Sequence, residues 1–337
     1  MFLVMSLLLI GAYIHHLWRA ETTINVPWVP DPASRLFAEV PLTPLPAKDD
    51  ITTVRLPYAD EIVTANPVAV TTALTDAGLA VVVNNHITHA TWCCGADPCD
   101  AGWANDHLGP LCRVRQTEEG WIRNWEAVMA RFVDNPLVIG ADLRNEVRGV
   151  WGTMPWSRWA AAAERAGNRL LRMNPDWLIV VGGTESGNDL RGVAERPVRL
   201  DVPGRVVYSA HVYAWSGWGS LEGRFAKRGY ASFVHAMREN WGYLVEGDRA
   251  PVWVGEFGAP RDPSMGDANY WQNLVRYLKV VDADFGYWAI NPRKPKANTT
   301  ETYALVEDDW KTPLLDYRMK DMAEMMKQGT FEGHDEL

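Results

Sequence analysis

The chain has 337 residues, 47% of them hydrophobic and 22% charged, a balance that excludes wholesale disorder. Its formal net charge of −9 argues against a nucleic-acid partner, because no basic footprint is present. Tryptophan is abundant, at 17 residues against 11 tyrosines and 8 phenylalanines. That implies either a Trp-rich core or a groove that stacks flat or ring-shaped ligands.

Residues 1–18 carry no Asp, Glu, Lys or Arg and are densely apolar from Phe2 to Ile14. This stretch reads as a signal peptide or a membrane anchor, and it is shorter than the roughly 20 apolar residues of a full span. Residues 19–50 hold six prolines between Pro27 and Pro46 and read as an extended linker or an atypical N-terminal segment. From 51 to 327 the rhythm is that of one folded domain. Short apolar strands are expected at Thr52–Tyr58, Ala80–His86, Val138–Glu146, Leu178–Gly183, Val206–Tyr213, Val252–Gly258 and Phe285–Ile290. Between them lie helical patterns. Trp121, Ile122, Trp125, Val128, Met129 and Phe132 recur at three- and four-residue steps, and a second helix from Trp156 stops before Asn174-Pro175. Trp121, Trp125 and Trp159 are therefore expected in the core.

Strand–helix alternation of this length makes an α/β fold, and seven strands with room for one more point to a (β/α)8 barrel. A doubly wound open sheet is the second choice, disfavoured because no Gly-rich phosphate turn follows the first strand. The barrel is expected to be incomplete or atypical at its first strand. Thr22–Val29, the best candidate, contains a proline, and a missing strand would leave two sheet edges exposed.

Cys93, Cys94, Cys99 and Cys112 cluster in one stretch and suggest two disulfides in an exported protein. The adjacent pair Cys93 and Cys94 is not expected to bond to itself, which leaves two connectivities open. Zinc binding through these thiols with His86, His89 and His107 is a rival reading, although the spacing fits no zinc motif. No metal or cofactor is expected. Residues 328–337 form a tail ending His-Asp-Glu-Leu, an address read by an endoplasmic-reticulum retrieval receptor. Asn298-Thr299-Thr300 is a glycosylation acceptor if the chain enters the secretory pathway. The expected location is therefore extracellular, with the reticulum lumen or a membrane anchor as alternatives.

Six of the seven strands contribute a polar or aromatic residue to one rim: the first carries Arg55, others end in Asn84-Asn85-His86, Asn145-Glu146, His211 with Tyr213, and Glu256, and the last holds Trp288. Carboxyl-terminal strand ends face the active site of a β/α barrel, so these groups should converge. Two carboxyl groups with separated pKa values, set across a sugar, are the equipment of glycoside hydrolysis.

The segments Asp142–Glu146 (DLRNE) and Trp253–Gly258 (WVGEFG) resemble the acid/base and nucleophile motifs of glycoside hydrolase family 5, the cellulase family. The resemblance extends to Val54–Pro57 (VRLP), Asn85-His86, Ala90–Gly95 (ATWCCG), His211–Tyr213 and the Trp288 strand, from Ile51 to Asn291. It implies a β/α barrel and a retaining endo-β-1,4-glucanase with a polysaccharide substrate; β-mannanase or another β-glycosidase is the alternative. A non-catalytic or folding-defective carbohydrate-binding relative is the alternative of another class. Carried over, Glu256 would be the nucleophile and Glu146 the acid/base. Arg55 and Tyr213 would hold Glu256 ionised and His211 would lie near Glu146. Asn145 and His86 would bind sugar hydroxyls, and Trp288 would be the stacking floor. Trp92, Trp103, Trp151, Trp215 and Trp218, in loops after strands, are candidate platforms for further rings. His89 and His107 are given no catalytic role.

Overall fold

The computed structural model describes residues 53–60, 67–90, 93–94, 97–149, 154–217, 223–294 and 299–328, together with the backbone of 23–25; at 67–69 and 327–328 it likewise describes backbone alone. Residues 1–18, most of the Pro-rich segment, Trp92, Trp151, Trp218, Asn298 and the HDEL tail lie outside the described residues. Among the described residues no helix is long and apolar enough to cross a membrane.

Eight parallel strands close into a barrel in chain order: β1 Thr23–Asn25, β2 Thr53–Ala59, β3 Ala80–Ile87, β4 Val138–Asp142, β5 Leu178–Gly182, β6 Val206–Val212, β7 Val252–Phe257 and β8 Asp284–Trp288. All seven strands expected from the apolar runs are present. The eighth is the segment singled out as the best candidate. β1 is only three residues long, ends before Pro27, and pairs with β2 on one side and β8 on the other, Ile24 lying opposite Val54 and Tyr287. The barrel is therefore atypical at its first strand yet closed, and closure leaves no unpaired sheet edge.

Parallel strands covered on both faces should be buried throughout, and every residue of β2 and β7 is. Inside the barrel Val82, Leu178, Val180, Val207 and Trp253 form a cluster of their own, with Trp253 filling the width that smaller residues would leave open. A second, larger cluster lies between barrel and helices. The short link after β2 holds α1, Pro67–Asp76. Next come α2 Glu118–Met129, α3 Trp156–Leu171, α4 Tyr230–Met237, α5 Tyr243–Glu246, α6 Met265–Val281 and α7 Tyr317–Gln328. Thr117 caps α2 by accepting from the Gly120 amide, with Glu118 and Glu119 favourably placed in the first turn.

The helix tryptophans do more than fill space. Trp121 Nε1 donates to Asn85 Oδ1, Trp125 Nε1 to the Leu143 carbonyl and Trp159 Nε1 to the Gly182 carbonyl, each at 2.9–3.0 Å. Each indole thus ties the outer helix layer to a chain emerging from the carboxyl end of a strand. These are the same strand ends that carry the polar residues.

Candidate active site

β4 stops at Asp142, four residues short of the expected end, because the chain leaves the β5 ladder to cross the rim. The Asn145 amide donates to the Asn85 carbonyl at 2.9 Å, and Glu146 adopts φ +44. A left-handed glutamate carries a conformational cost, of a kind concentrated at functional sites. Here the turn delivers the Glu146 side chain over the barrel mouth.

Opposite it, the register between β6 and β7 shifts, so that Ala210 faces Val254 but His211 faces Glu256, with Gly255 as the extra residue. An added Cβ at Gly255 would meet Ser209 Oγ at 2.3 Å, so a larger residue in this bulge would have to turn that hydroxyl aside. Gly187 serves His211 in the same way. At φ +83 it accepts the His211 amide hydrogen bond through its carbonyl, and a Cβ there would come within 2.7 Å of the imidazole.

The result is a compact group of buried polar side chains. One carboxylate oxygen from each of Glu146 and Glu256 and a ring nitrogen of His211 all lie within 4.8 Å of one another. His211 Nδ1 stands 3.2 Å from Glu146 Oε1 and 3.6 Å from Glu256 Oε2, so it spans the two acids. Arg55 is fully buried and uses three donors at once. Nε reaches Asp142 Oδ2 at 2.5 Å, Nη1 reaches Glu256 Oε1 at 2.5 Å, and Nη2 donates to Asn145 Oδ1 at 2.8 Å. The Tyr213 hydroxyl donates to Glu256 Oε2 at 3.0 Å.

The surroundings of the two glutamates differ. Burial pushes the Glu146 carboxyl up to about 7, against the opposing pull of Arg148 and Arg55. Burial raises Glu256 as well, with His211 and Arg55 drawing it back. Arg55 acts on Glu256 in the expected direction, favouring its charged form, while desolvation carries the net shift upward. Both acids sit high, but the charged and neutral donors are concentrated on Glu256. Burial lowers His211, with Arg55 acting in the same direction against Glu256 and Asp142, and burial lowers His86 well below the ordinary imidazole value. Both rings are neutral at neutral pH. Burial and the two glutamates push the Tyr213 phenol far up, so it remains a donor.

Arg55, Asn145, Glu146, His211, Tyr213 and Glu256 are brought together as expected. His86 and Trp288 flank them as a stacked pair, with ring centroids 5.2 Å apart and planes 12° apart, and His86 Nδ1 lies 2.9 Å from Asn84 Oδ1. Trp215 is 46% exposed and stacks on Tyr213 at 5.1 Å and 11°, which suits a platform beside the acids. Trp103 does not serve as one. It is 2% exposed, packs against Trp121 and Trp159, and donates to Glu118 Oε2, because its loop folds back under α2 and α3. Trp121, Trp125 and Trp159 are core residues, as expected.

The disulfide connectivity also requires correction. Cys93 bonds to its neighbour Cys94, and Cys99 bonds to Cys112. Adjacent cysteines rarely meet because the peptide between them holds their side chains apart. Here Cys94 has φ +74, a turn that brings both sulfurs to one side. With all four sulfurs in disulfides, no thiolate remains for zinc.

Several supporting residues were not singled out from the sequence. Asp142 anchors Arg55. Arg144 bridges Asn85 at 3.0 Å, Asp100 at 2.8 Å and Asp60 at 3.4 Å beneath the rim, and Arg148 Nη1 donates to the Glu146 carbonyl at 3.2 Å. The one signal available was that Asp142, Arg144 and Arg148 flank Glu146 in sequence, where a barrel rim needs charge partners.

Comparison with known proteins agrees with this geometry. Residues 28–294 match the family model described as cellulase, glycosyl hydrolase family 5. An endoglucanase of Paenibacillus polymyxa is 42% identical over 212 residues, covering 58% of this chain and 51% of that protein. The major extracellular endoglucanase of Xanthomonas campestris pv. campestris is 30% identical over 212 residues, covering 58% and 42%. The chain thus spans about half the length of the curated relatives it matches. Among solved structures, the hyperthermophilic endocellulase of Pyrococcus horikoshii superimposes with a TM-score of 0.67 at 24% identity, covering 82% of this chain and 83% of that one. A family match over most of the chain, on a closed barrel whose rim gathers two glutamates, places this protein in glycosyl hydrolase family 5, the cellulase family.

Proposed function

We propose that this chain is a retaining endo-β-1,4-glucanase in which Glu256 is the nucleophile and Glu146 the acid/base. The observation that carries this reading is that one oxygen of each carboxylate and a ring nitrogen of His211 lie within 4.8 Å of one another. So close an approach favours a double displacement, for which carboxyl groups stand roughly 5–5.5 Å apart, over an inverting site, which needs about 6.5–9.5 Å to admit water.

The donors decide which acid does which job. Arg55 and Tyr213 point at Glu256 and stabilise its charge, as a nucleophile requires. Glu146, held near 7, keeps its proton to give away. In the first step a Glu256 oxygen bonds to the anomeric carbon as the glycosidic bond breaks, and the Glu146 proton passes to the leaving oxygen. In the second, Glu146 takes a proton from water, whose oxygen displaces the Glu256 ester, and both carboxyls return to their starting states. Asn145 faces the 2-hydroxyl of the reacting sugar, Trp288 lies beneath that ring, and Trp215 supports a neighbouring one.

The choice of β-1,4-glucan draws on the relatives, named endoglucanases, and on a Pyrococcus horikoshii endocellulase solved with cellotetraose. Export is part of the proposal: two disulfides suit an oxidising compartment, and the Xanthomonas relative is named extracellular. Closure of the barrel by β1 supports a competent fold over a folding-defective relative.

The test is a panel of soluble cellulose derivative, mixed-linkage glucan and mannan with purified protein, following the anomeric signals by proton NMR. β-Anomer ends should appear first on the glucans, and Glu256→Ala should abolish them. Folded protein releasing no reducing ends from any of the three would end the reading, and mannan as the preferred polymer would correct the substrate.

A further inference from the structure

The Cys93–Cys94 disulfide stands at the active site, and the mechanism above gives it no task. Both cysteines are half-buried on the chain after β3. Their sulfurs and a ring nitrogen of His86 all lie within 4.8 Å of one another. Asn145 Nδ2 points at the pair, 3.3 Å from Cys94 Sγ and 3.9 Å from Cys93 Sγ. The other end of the same amide, Oδ1, accepts from Arg55 Nη2, and Arg55 Nη1 in turn holds Glu256.

A side-chain amide can sit either way round, and what faces its two ends decides which. Arg55 offers only donors, so Oδ1 must face it. A disulfide offers only weak acceptors and no donor, so it tolerates Nδ2 without satisfying it. The N–H is then oriented but still able to bond a stronger acceptor. Two thiols in the same place would behave differently. Each could rotate about its own χ1, and each would present an S–H donor to the amide.

We propose that the Cys93–Cys94 disulfide is a positioning group of the sugar-binding site. It is a rigid, donor-free wall that locks the Asn145 amide between itself and Arg55, with its N–H presented to the substrate 2-hydroxyl. This rests on the glucanase reading above, in which Asn145 meets that hydroxyl. The contribution is made through Asn145, so it should be felt in kcat more than in KM and only by substrates that carry the hydroxyl.

The experiment compares wild type, the double variant Cys93→Ala/Cys94→Ala, Asn145→Ala and the triple variant on an aryl β-cellobioside and its 2-deoxy counterpart at the cleaved ring. The double variant should lose about tenfold in kcat on the natural sugar, the scale on which members of one hydrogen-bond network couple, and under about twofold on the 2-deoxy sugar. In the Asn145→Ala background the cysteine changes should cost nothing more. If the alanine variant does not fold, the same comparison is made on protein treated with a phosphine under native conditions. Cys99→Ala/Cys112→Ala protein, compared before and after the same treatment, isolates the opening of the Cys93–Cys94 bridge. Equal losses on both sugars, full additivity with Asn145→Ala, or no loss at all would overturn the positioning role. Where the aryl cellobioside is too short for the site, the aryl cellotrioside pair replaces it, and a wild type that also releases no reducing ends from the soluble glucans would instead sink the glucanase reading itself.

Discussion

Arg55→Met is the perturbation from which the structure promises the largest single effect. The guanidinium is fully buried and, from β2, links three polar groups: Asp142 at the end of β4, Asn145 just beyond it and Glu256 on β7. Methionine fills much of the volume but leaves two buried carboxylates without their cation. Removing one partner of a buried ion pair costs about 3–5 kcal/mol, because the remaining charge is stranded. At roughly 2–4 °C per kcal/mol for a large domain, the thermal midpoint should fall by on the order of 10 °C. The pH dependence supplies the sharper test. Burial already raises Glu256 and Arg55 pulls it back, so the variant's Glu256 rises further above its unfolded value. A carboxyl raised on folding stabilises below its unfolded pKa, near 4.3, and loses that contribution as pH climbs through the folded one. The deficit against wild type should therefore be smaller at pH 5 than at pH 8. Thermal midpoints measured at both pH values decide the matter. A deficit below about 1 kcal/mol, or one that grows towards pH 5, would refute the account of Arg55 as the counter-charge of the site.

Two further outcomes follow from the same geometry. The pH profile of kcat/KM should fall on its alkaline side near 7, where Glu146 loses the proton it must donate, and on its acid side above the ordinary glutamate value, where Glu256 takes one up; an alkaline limb above about 9 would contradict the acid role. Trp103→Ala should destabilise by about 3–5 kcal/mol and leave the KM of folded protein unchanged, whereas Trp215→Ala should cost under about 1 kcal/mol yet raise KM on cellotetraose; a reversed pattern in stability and KM would undo both placements.

Much of this was legible in the chain because parallel strands buried on both faces announce themselves as apolar runs, and a β/α barrel puts function at one end of each. Thus His211 and Glu256 could be placed from the strand ends they occupy, and Arg55 from the strand that carries it. Three features could not. Trp103 and Trp215 both follow a strand in a Trp- and Gly-rich loop, and only tertiary packing sends one under α2 and leaves the other in solvent. The Cys93–Cys94 bond depends on a single left-handed residue, which no spacing argument reveals. The direction of the Glu256 shift depends on how completely the rim is desolvated, a property of the assembled barrel and not of its motif.

The first strand shows why so short an element can complete the architecture. A strand beside a proline looks too weak to hold a barrel shut, and judged by length alone β1 is weak. Its level matters more than its length. Asn25 lies in register with Arg55 on β2 and with Trp288 on β8, so the three residues pair at the height of the site. Without them the backbones carrying Arg55 and Trp288 would become two facing edges, each with unpaired hydrogen-bonding groups just below the carboxylates. Water entering there would relieve the burial that keeps Glu146 near 7. Disrupting β1 by Ile24→Pro should accordingly shift the alkaline limb of the activity profile down towards the ordinary carboxylate range, before the protein loses its fold. A variant that stays folded and active with its alkaline limb unmoved would show that the rim is kept dry by something other than closure.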